Sequence, residues 1–340
     1  MRARALHPWL ALALAFVGIG SLTIGATDVS FWTVLGKLFA GEELTLTERA
    51  VMVNIRMPRL AMGCLVGAAL AVSGTVMQGL FRNPLADPGI VGVSAGATLG
   101  AVAAIVLGTA LPAATLALVG AQLVPIAAFV GAWATTLLLY RVATRHGRTS
   151  VATMLLAGIA LTALTMAISG ILIFIADDQQ LRDLTFWSLG SLAGATWAKL
   201  AVTAPVILTA IAGACLLGRA LNGLALGEAT AAHIGVPVQR MKNAAILAVA
   251  AATGAAVAIS GGIGFIGIVV PHLLRISTGP DHRPLLVNAA LLGAILLVLA
   301  DMISRNIIPP AELPIGIITA VLGAPVFLWI LLRQRGLVDL

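Results

Sequence analysis

Ten apolar stretches separated by short polar or Gly/Pro-containing breaks organise this chain, at about 9–27, 59–81, 92–108, 113–140, 151–175, 197–219, 240–259, 263–277, 285–305 and 313–332. A helix needs about 20 apolar residues to cross ~30 Å of hydrocarbon, so the pattern predicts ten membrane-spanning helices. The third and eighth stretches are short or broken by glycine. The predicted class is an all-α polytopic membrane protein, with residues 1–340 forming one transmembrane domain.

Within those stretches the octapeptide GAALAVSG at 67–74 returns as GAAVAISG at 254–261, and at the same offset Pro84 falls on Pro271. Duplicated spans of this kind are a mark of transporter folds. The second span runs opposite to the seventh, so the repeat is inverted, pairing spans two to five with spans seven to ten. That arrangement predicts alternating access.

Composition agrees with the spans. The chain is 60% hydrophobic and 10% charged, with 36 glycines and one tyrosine, and its mean hydropathy is +1.07. Too little polar surface exists to coat a water-soluble globule of 340 residues.

Charge then sets the orientation. With the N-terminus inside, thirteen of the twenty Lys and Arg are cytoplasmic: Arg2, Arg4, Arg82, Arg141, Arg145, Arg148, Arg219, Arg240, Lys242, Arg275, Arg283, Arg333 and Arg335. The other seven, Lys37, Arg49, Arg56, Arg59, Arg182, Lys199 and Arg305, fall outside with nine of the thirteen acids. The net charge of +7 divides into 13 − 4 = +9 inside and 7 − 9 = −2 outside, a positive-inside bias and not a nucleic-acid patch. The first 27 residues share the basic start and apolar run of a signal peptide, but cleavage would leave an odd span count and invert every loop charge, so they read as an uncleaved span. Cys64 and Cys215 lie in separate spans and support neither a disulfide nor a metal framework.

Two cytoplasmic segments stand out. The turn from Phe81 to Gly89 carries two prolines and the capping side chains Asn83 and Asp87, which makes it a rigid element at the inner mouth. The connection 219–240 has glycine breaks at 223, 227 and 235 and polar heads at Glu228 and His233, predicting a shaped elbow that docks a partner. No GxxxxGK[ST] phosphate loop occurs, so nucleotide hydrolysis belongs to another subunit and this chain is not an enzyme.

The chain resembles the permease subunits of ABC importers for vitamin B12, ferric siderophores and haem, the FecCD family. The likeness covers nearly the whole length. It is carried by IRMPRL at 55–60, GAALAVSGTVMQGLFRNPLADPGIVGVSAGA at 67–97, FWSLGSLAG at 186–194, LALGEATAAHIGV at 224–236, GFIGIVVPHLLR at 264–275 with DHRPLL at 281–286, and ADMISR at 300–305 with ELPIGIITAVLGAPVF at 312–327. It implies a homodimer in a bacterial inner membrane, with both termini cytoplasmic and the translocation path along the dimer interface. Two cytoplasmic ATPases, which hold ATP and Mg, would dock on the elbow through Leu226, Gly227, Glu228, His233 and Gly235. A periplasmic binding protein would dock outside, its carboxylates meeting Arg56, Arg59 and Arg305. Asn83, Leu85, Ser150 and Val151 match the cytoplasmic gate, where relatives can carry threonine in place of Val151.

Among the family's cargoes, the segment 177–194 most resembles haem permeases through Arg182 and the FWSLGSL run, and places Arg182 at the outer mouth to meet a haem propionate. Ferric siderophores and vitamin B12 are the alternatives. His7, His146, His233, His272, His282 and Tyr140 all fall on the cytoplasmic side, leaving no outer ligand for haem iron. The chain itself then binds no cofactor or metal, and the path releases haem instead of holding it. An ion-coupled secondary transporter is the competing class, but it calls for mid-span acids or histidines that are nearly absent here.

Overall fold

The computed structural model describes residues 3–25, 27, 29–145, 148–308 and 311–338. The regular structure of these residues is helical apart from one small hairpin, β1 (Thr144–Arg145) paired antiparallel with β2 (Arg148–Thr149). The α-helices are α1 (Leu6–Thr23), α2 (Phe31–Ala40), α3 (Leu46–Glu48), α4 (Met57–Phe81), α5 (Val93–Leu107), α6 (Ala113–Val119), α7 (Leu123–Ala143), α8 (Val151–Phe174) and α9 (Asp178–Ser188). They continue with α10 (Trp197–Leu216), α11 (Gly218–Ala225), α12 (Glu228–His233), α13 (Val238–Ser260), α14 (Ile266–Thr278), α15 (His282–Asn306) and α16 (Ile315–Val338).

Among the described residues, eight helical segments are long and apolar enough to span a membrane: α1, the continuous run Leu46–Phe81, α5 with its 3-10 extension, α7, α8, α10, α13 and α15. The shorter α14 and the apolar part of α16 stand where the eighth and tenth spans are predicted. The chain is an all-α polytopic membrane protein. Three boundaries differ from the hydropathy reading. The predicted stretch 113–140 is divided, because α6 ends at Val119, capped by Gly120, and α7 starts afresh at Leu123. The polar segment after α1 contains α2, capped by Ser30 and held to the next turn by a 2.8 Å Lys37–Glu48 ion pair. Residues Arg49–Arg56 form a π-helix leading directly into α4, so that the second span begins well before residue 59.

Helix α4 is the spine. It is buried along most of its length and packs against α13, α14 and α15. Glycine makes the closest approaches possible. A Cβ on Gly67 would strike the carbonyl of Gly293 on α15, one on Gly293 would strike that of Gly67, and one on Gly74 would strike the carbonyl of Gly267 on α14. Such small-residue contacts let backbones meet where no hydrophobic force between helices is available. Met62, Val66, Leu285 and Leu297 fill one core beside this seam, and Met77, Leu80, Leu139 and Leu286 fill another.

The repeat appears as an order of elements, with α4, α5, α7 and α8 answered by α13, α14, α15 and α16. Its octapeptide register does not carry over. Residues 67–74 lie inside α4, seven residues short of its end at Phe81, whereas 254–261 finish α13, which stops at Ser260. Pro84 stands in a turn, but Pro271 is inside α14.

The connections sort into two ends. One joins the segment after α1, the π-helix, α9 and the α15–α16 connection, tied by Arg56, Arg305 and a 2.7 Å bond from Trp197 to the Val53 carbonyl. The other joins the 82–92 turn, the hairpin, the elbow and Asp281, tied by Lys242 and Asn222. Helix α4 runs from the first end to the second, and α13 runs back.

Candidate functional site: rim, cavity and elbow

At the first end, Arg56, Arg59 and Arg305 lie together, each buried, at 4, 7 and 9% exposure. Arg56 donates to the carbonyls of Leu22 at 2.6 Å, Val29 at 3.1 Å and Thr27 at 3.2 Å, pinning the chain after α1. Arg59 directs Nε at both oxygens of Asp301 (2.9 and 3.1 Å) and its two terminal nitrogens at Glu312 (2.8 and 2.9 Å). Arg305 donates to the carbonyl and hydroxyl of Ser21 at 2.6 and 3.0 Å, and lies 3.8 Å from Asp301. None of the three presents a free guanidinium at the surface. Most of their donors meet backbone carbonyls, hydroxyls or acids of this chain, as a buried guanidinium requires, while Arg305 Nε has no hydrogen-bond partner among the described residues and faces Asp301 at 3.8 Å. Glu312, with 39% of its side chain exposed, is the outermost member.

A cavity of about 490 Å³ lies between the middle of α4, the 85–89 turn, α13 and the 262–268 segment. Its walls are mostly apolar, from Leu70, Val257, Ile263, Phe265 and Ile268, with Ser94, Ser188 and Thr253 as polar points. Asp87 is the ionisable group on that wall. Its carboxylate accepts from the Gly89 N–H at 2.7 Å, and burial pushes its pKa up against that bond. Of the predicted gate residues, Leu85 lines the cavity, while Asn83 shapes the turn by accepting from the Leu85 N–H at 2.9 Å. Ser150 caps α8, accepting from the Thr153 N–H at 3.3 Å, and Val151 packs on the core at half-burial. No hydrogen bond among the described residues joins the 83–85 turn to 150–151.

Arg182 is exposed on α9 and bonds Gln179 at 3.0 Å; Asp183 is taken by Gln179 at the same distance, and neither Asp178 nor Asp183 pairs with the arginine among the described residues. The FWSLGSL run has a structural task that sequence reading missed. Gly190, at φ +74°, and its neighbours bond the end of α13 and the start of α16: Ser191 N–H to Ser260 O at 2.8 Å, Ile315 N–H to Gly190 O at 3.1 Å, and Gly316 N–H to Leu189 O at 3.0 Å. Backbone that is neither helix nor strand has to be satisfied in this way where it packs between helices.

At the second end the elbow is two short helices. Gly227 at φ +104° and Gly235 at φ +85° turn the chain on either side of α12, positions that a side chain would strain. Leu226, Ile234, His233 and Glu228 are exposed along it. Asn222 fastens α11 to Asp281 at 2.6 Å. Burial alone would raise the Asp281 pKa, but hydrogen bonds from Arg283 and Asn222 outweigh it and hold the carboxyl at about 2. A depressed folded-state value gives stability that is complete above the unfolded value of ~3.9 and fades as pH falls through about 2. The protection factors of the amides at 217–225, observed exchange corrected for the intrinsic pH dependence, are therefore expected to stay flat from neutral pH to about 4 and fall below it; a fall already at pH 6 would contradict the tether.

The described histidines stay clear of the first end. His7 bonds Asn288 at 2.7 Å, His282 bonds Asn222 at 2.9 Å, His272 is buried in α14 and His233 is exposed, while His146 lies outside the described residues. Tyr140 packs half-buried against the core.

Comparison with known proteins now adds to this geometry. Residues 13–333 match the model of the FecCD transport family. The chain belongs to that family. It is 45% identical to the hemin transport system permease protein HmuU of Yersinia pestis, over 98% of this chain and 96% of the relative. It is 41% identical to the vitamin B12 import system permease protein BtuC of Shigella boydii, over 96 and 95%. A solved metal-chelate type ABC transporter in an inward-facing conformation superposes with a TM-score of 0.84 at 30% identity, covering 97% of this chain and 99% of that one. The protein is thus an ABC importer permease, a transport component and not an enzyme, of a family that works as a dimer with ATPases and a binding protein. The secondary-transporter alternative falls with that membership.

Proposed function

We propose that this FecCD permease carries haem across a bacterial inner membrane as a homodimer, with its termini cytoplasmic. Two ATPases would drive it from the elbow, residues 219–240, and a periplasmic binding protein would feed it at the arginine rim. The observation that carries the cargo assignment is the likeness to the Yersinia pestis hemin permease along 98% of the chain. The vitamin B12 permeases match at comparable identity, and B12 or a ferric siderophore is the alternative cargo. The cavity supports passage of a large, flat, apolar solute, since 490 Å³ lies within the range of small-molecule sites and its wall offers Asp87 as its ionisable group. A path without histidine or tyrosine at its outer end lets cargo leave, because a tight site would slow exit.

At the rim, the docking role of Arg56, Arg59 and Arg305 becomes an exchange in this reading: a partner carboxylate reaches Arg59 by displacing Glu312. Arg182, exposed on α9, is the outer-mouth contact for a propionate in this reading. Asn83, Leu85, Ser150 and Val151 close the inner mouth once two copies are paired.

Uptake by proteoliposomes holding the chain with its ATPase and binding protein tests this directly. Haem is expected to enter in an ATP-dependent manner in preference to a ferric siderophore or B12. Arg182→Glu is expected to slow haem entry about tenfold, equivalent to ~1.4 kcal/mol. Selective entry of B12 or siderophore would overturn the cargo assignment and leave the family intact.

A further inference from the structure

The elbow and the start of α8 are separate in sequence, yet one buried cation touches both. Lys242, on the second turn of α13, is 3% exposed. Its ammonium donates to Glu228 Oε1 at 2.6 Å, the first residue of α12, and to the carbonyl of Thr149 at 2.9 Å, the last residue of β2. One turn earlier, Gln239 accepts from the Thr149 N–H at 2.9 Å and donates to its hydroxyl at 2.6 Å. Both backbone polar groups of Thr149 are therefore held by side chains of α13. Thr149 directly precedes Ser150, the N-cap of α8.

A lysine is almost never fully buried unless paired, and here its partners belong to two elements with opposite exposure. Glu228 has 47% of its side chain exposed, on a short helix flanked by Leu226 and Ile234, which are exposed at 68 and 60%. Thr149 is 3% exposed. Among the described residues, no other side-chain bond links α12 to the hairpin. The ammonium is thus the side-chain link between α12 and the residue that precedes the α8 N-cap, through a charge-assisted bond of 2.6 Å on one side and a buried carbonyl at 2.9 Å on the other.

We propose that Lys242 is a positioning residue that couples the elbow to α8, making α12, the hairpin and the α8 N-terminus move as one body when the ATPase closes. The proposal rests on the reading of the elbow as the ATPase platform.

Lys242→Met keeps the apolar stem and removes the ammonium. In the permease–ATPase complex it is expected to leave ATPase co-purification unchanged, to retain ATP hydrolysis and to lower uptake per ATP about tenfold, with Lys242→Arg recovering much of that ratio. Spin labels at Arg148 and Thr230 supply a readout that a merely structural role would not move. Their separation is expected to hold constant between nucleotide-free and ATP-bound complexes of the parent chain, and to change in Lys242→Met. Should Lys242→Met fail to fold, Glu228→Gln, which removes one end of the ion pair, is expected to lower the same ratio. Uptake per ATP at the parental value, with a constant label separation, in whichever variant folds would overturn the proposal. Failure of the parent chain to retain an ATPase, or its retention after residues 226–235 are replaced, would instead overturn the platform reading.

Discussion

Gly74→Leu is expected to abolish a folded permease, with loss of the monodisperse peak in detergent and of all uptake. A Cβ at that position would lie 2.5 Å from the Cα and carbonyl carbon of Gly267, and a backbone cannot rotate aside as a side chain can. Overpacking an ordinary core costs about 1–3 kcal/mol, and this collision lies beyond that range because it must part α4 from α14. Gly74→Ala is expected to be milder but still strongly destabilising. The control is Gly213→Ala on α10, where nothing stands within 4 Å of the added carbon. It should be neutral or stabilising by ~0.5–1 kcal/mol, as alanine is favoured over glycine within a helix. Equal thermal shifts for the two alanine variants would refute the packing account.

Asp301→Ala carries the second largest expected effect. The carboxylate is 3% exposed, accepts two bonds from Arg59 and faces Arg305 at 3.8 Å. Its removal leaves two guanidinium groups buried beside each other with Glu312 as the remaining acid. Breaking a buried pair in this one-sided way costs roughly 3–5 kcal/mol. Thermal unfolding in detergent is the measurement. Combining Asp301→Ala with Arg59→Met, which takes away the orphaned charge, should recover a large part of the loss. A single-variant loss below about 1 kcal/mol would show that water reaches the rim and screens it.

That rim shows where sequence reading succeeds and where it stops. Hydropathy found the positions of the spans because crossing hydrocarbon is a property of each stretch by itself. The charge count placed Arg56, Arg59 and Arg305 at one end, and the structure gathers them there. What it could not see was their burial, because Arg59 meets its partners 242 and 253 residues away. The elbow was legible from Gly227 and Gly235, whose positive φ values reflect a local need for glycine. Lys242 was read only as a positive-inside charge, since its partners become neighbours only when α13 packs beside the hairpin. The octapeptide repeat was real as a string but misleading as a register. Small residues recur wherever helices touch closely, and the two copies serve different depths of their helices.

The seam around Gly190 bears on how the chain is put into the bilayer. Helix α14 has 13 residues and, at 1.5 Å per residue, reaches about 20 Å, less than the ~30 Å of hydrocarbon it sits in. It cannot be threaded as a free-standing segment. The preceding turn has to be accepted into the membrane with it, sheltered by backbone that α9 delivered much earlier. The carbonyls of Leu189 and Gly190 in turn wait for Gly316 and Ile315, at the head of the final helix. The short α14 and the turn before it therefore depend on the same backbone seam that joins α13 to α16, so the second half of this protein draws its depth in the membrane and its tertiary closure from one set of contacts.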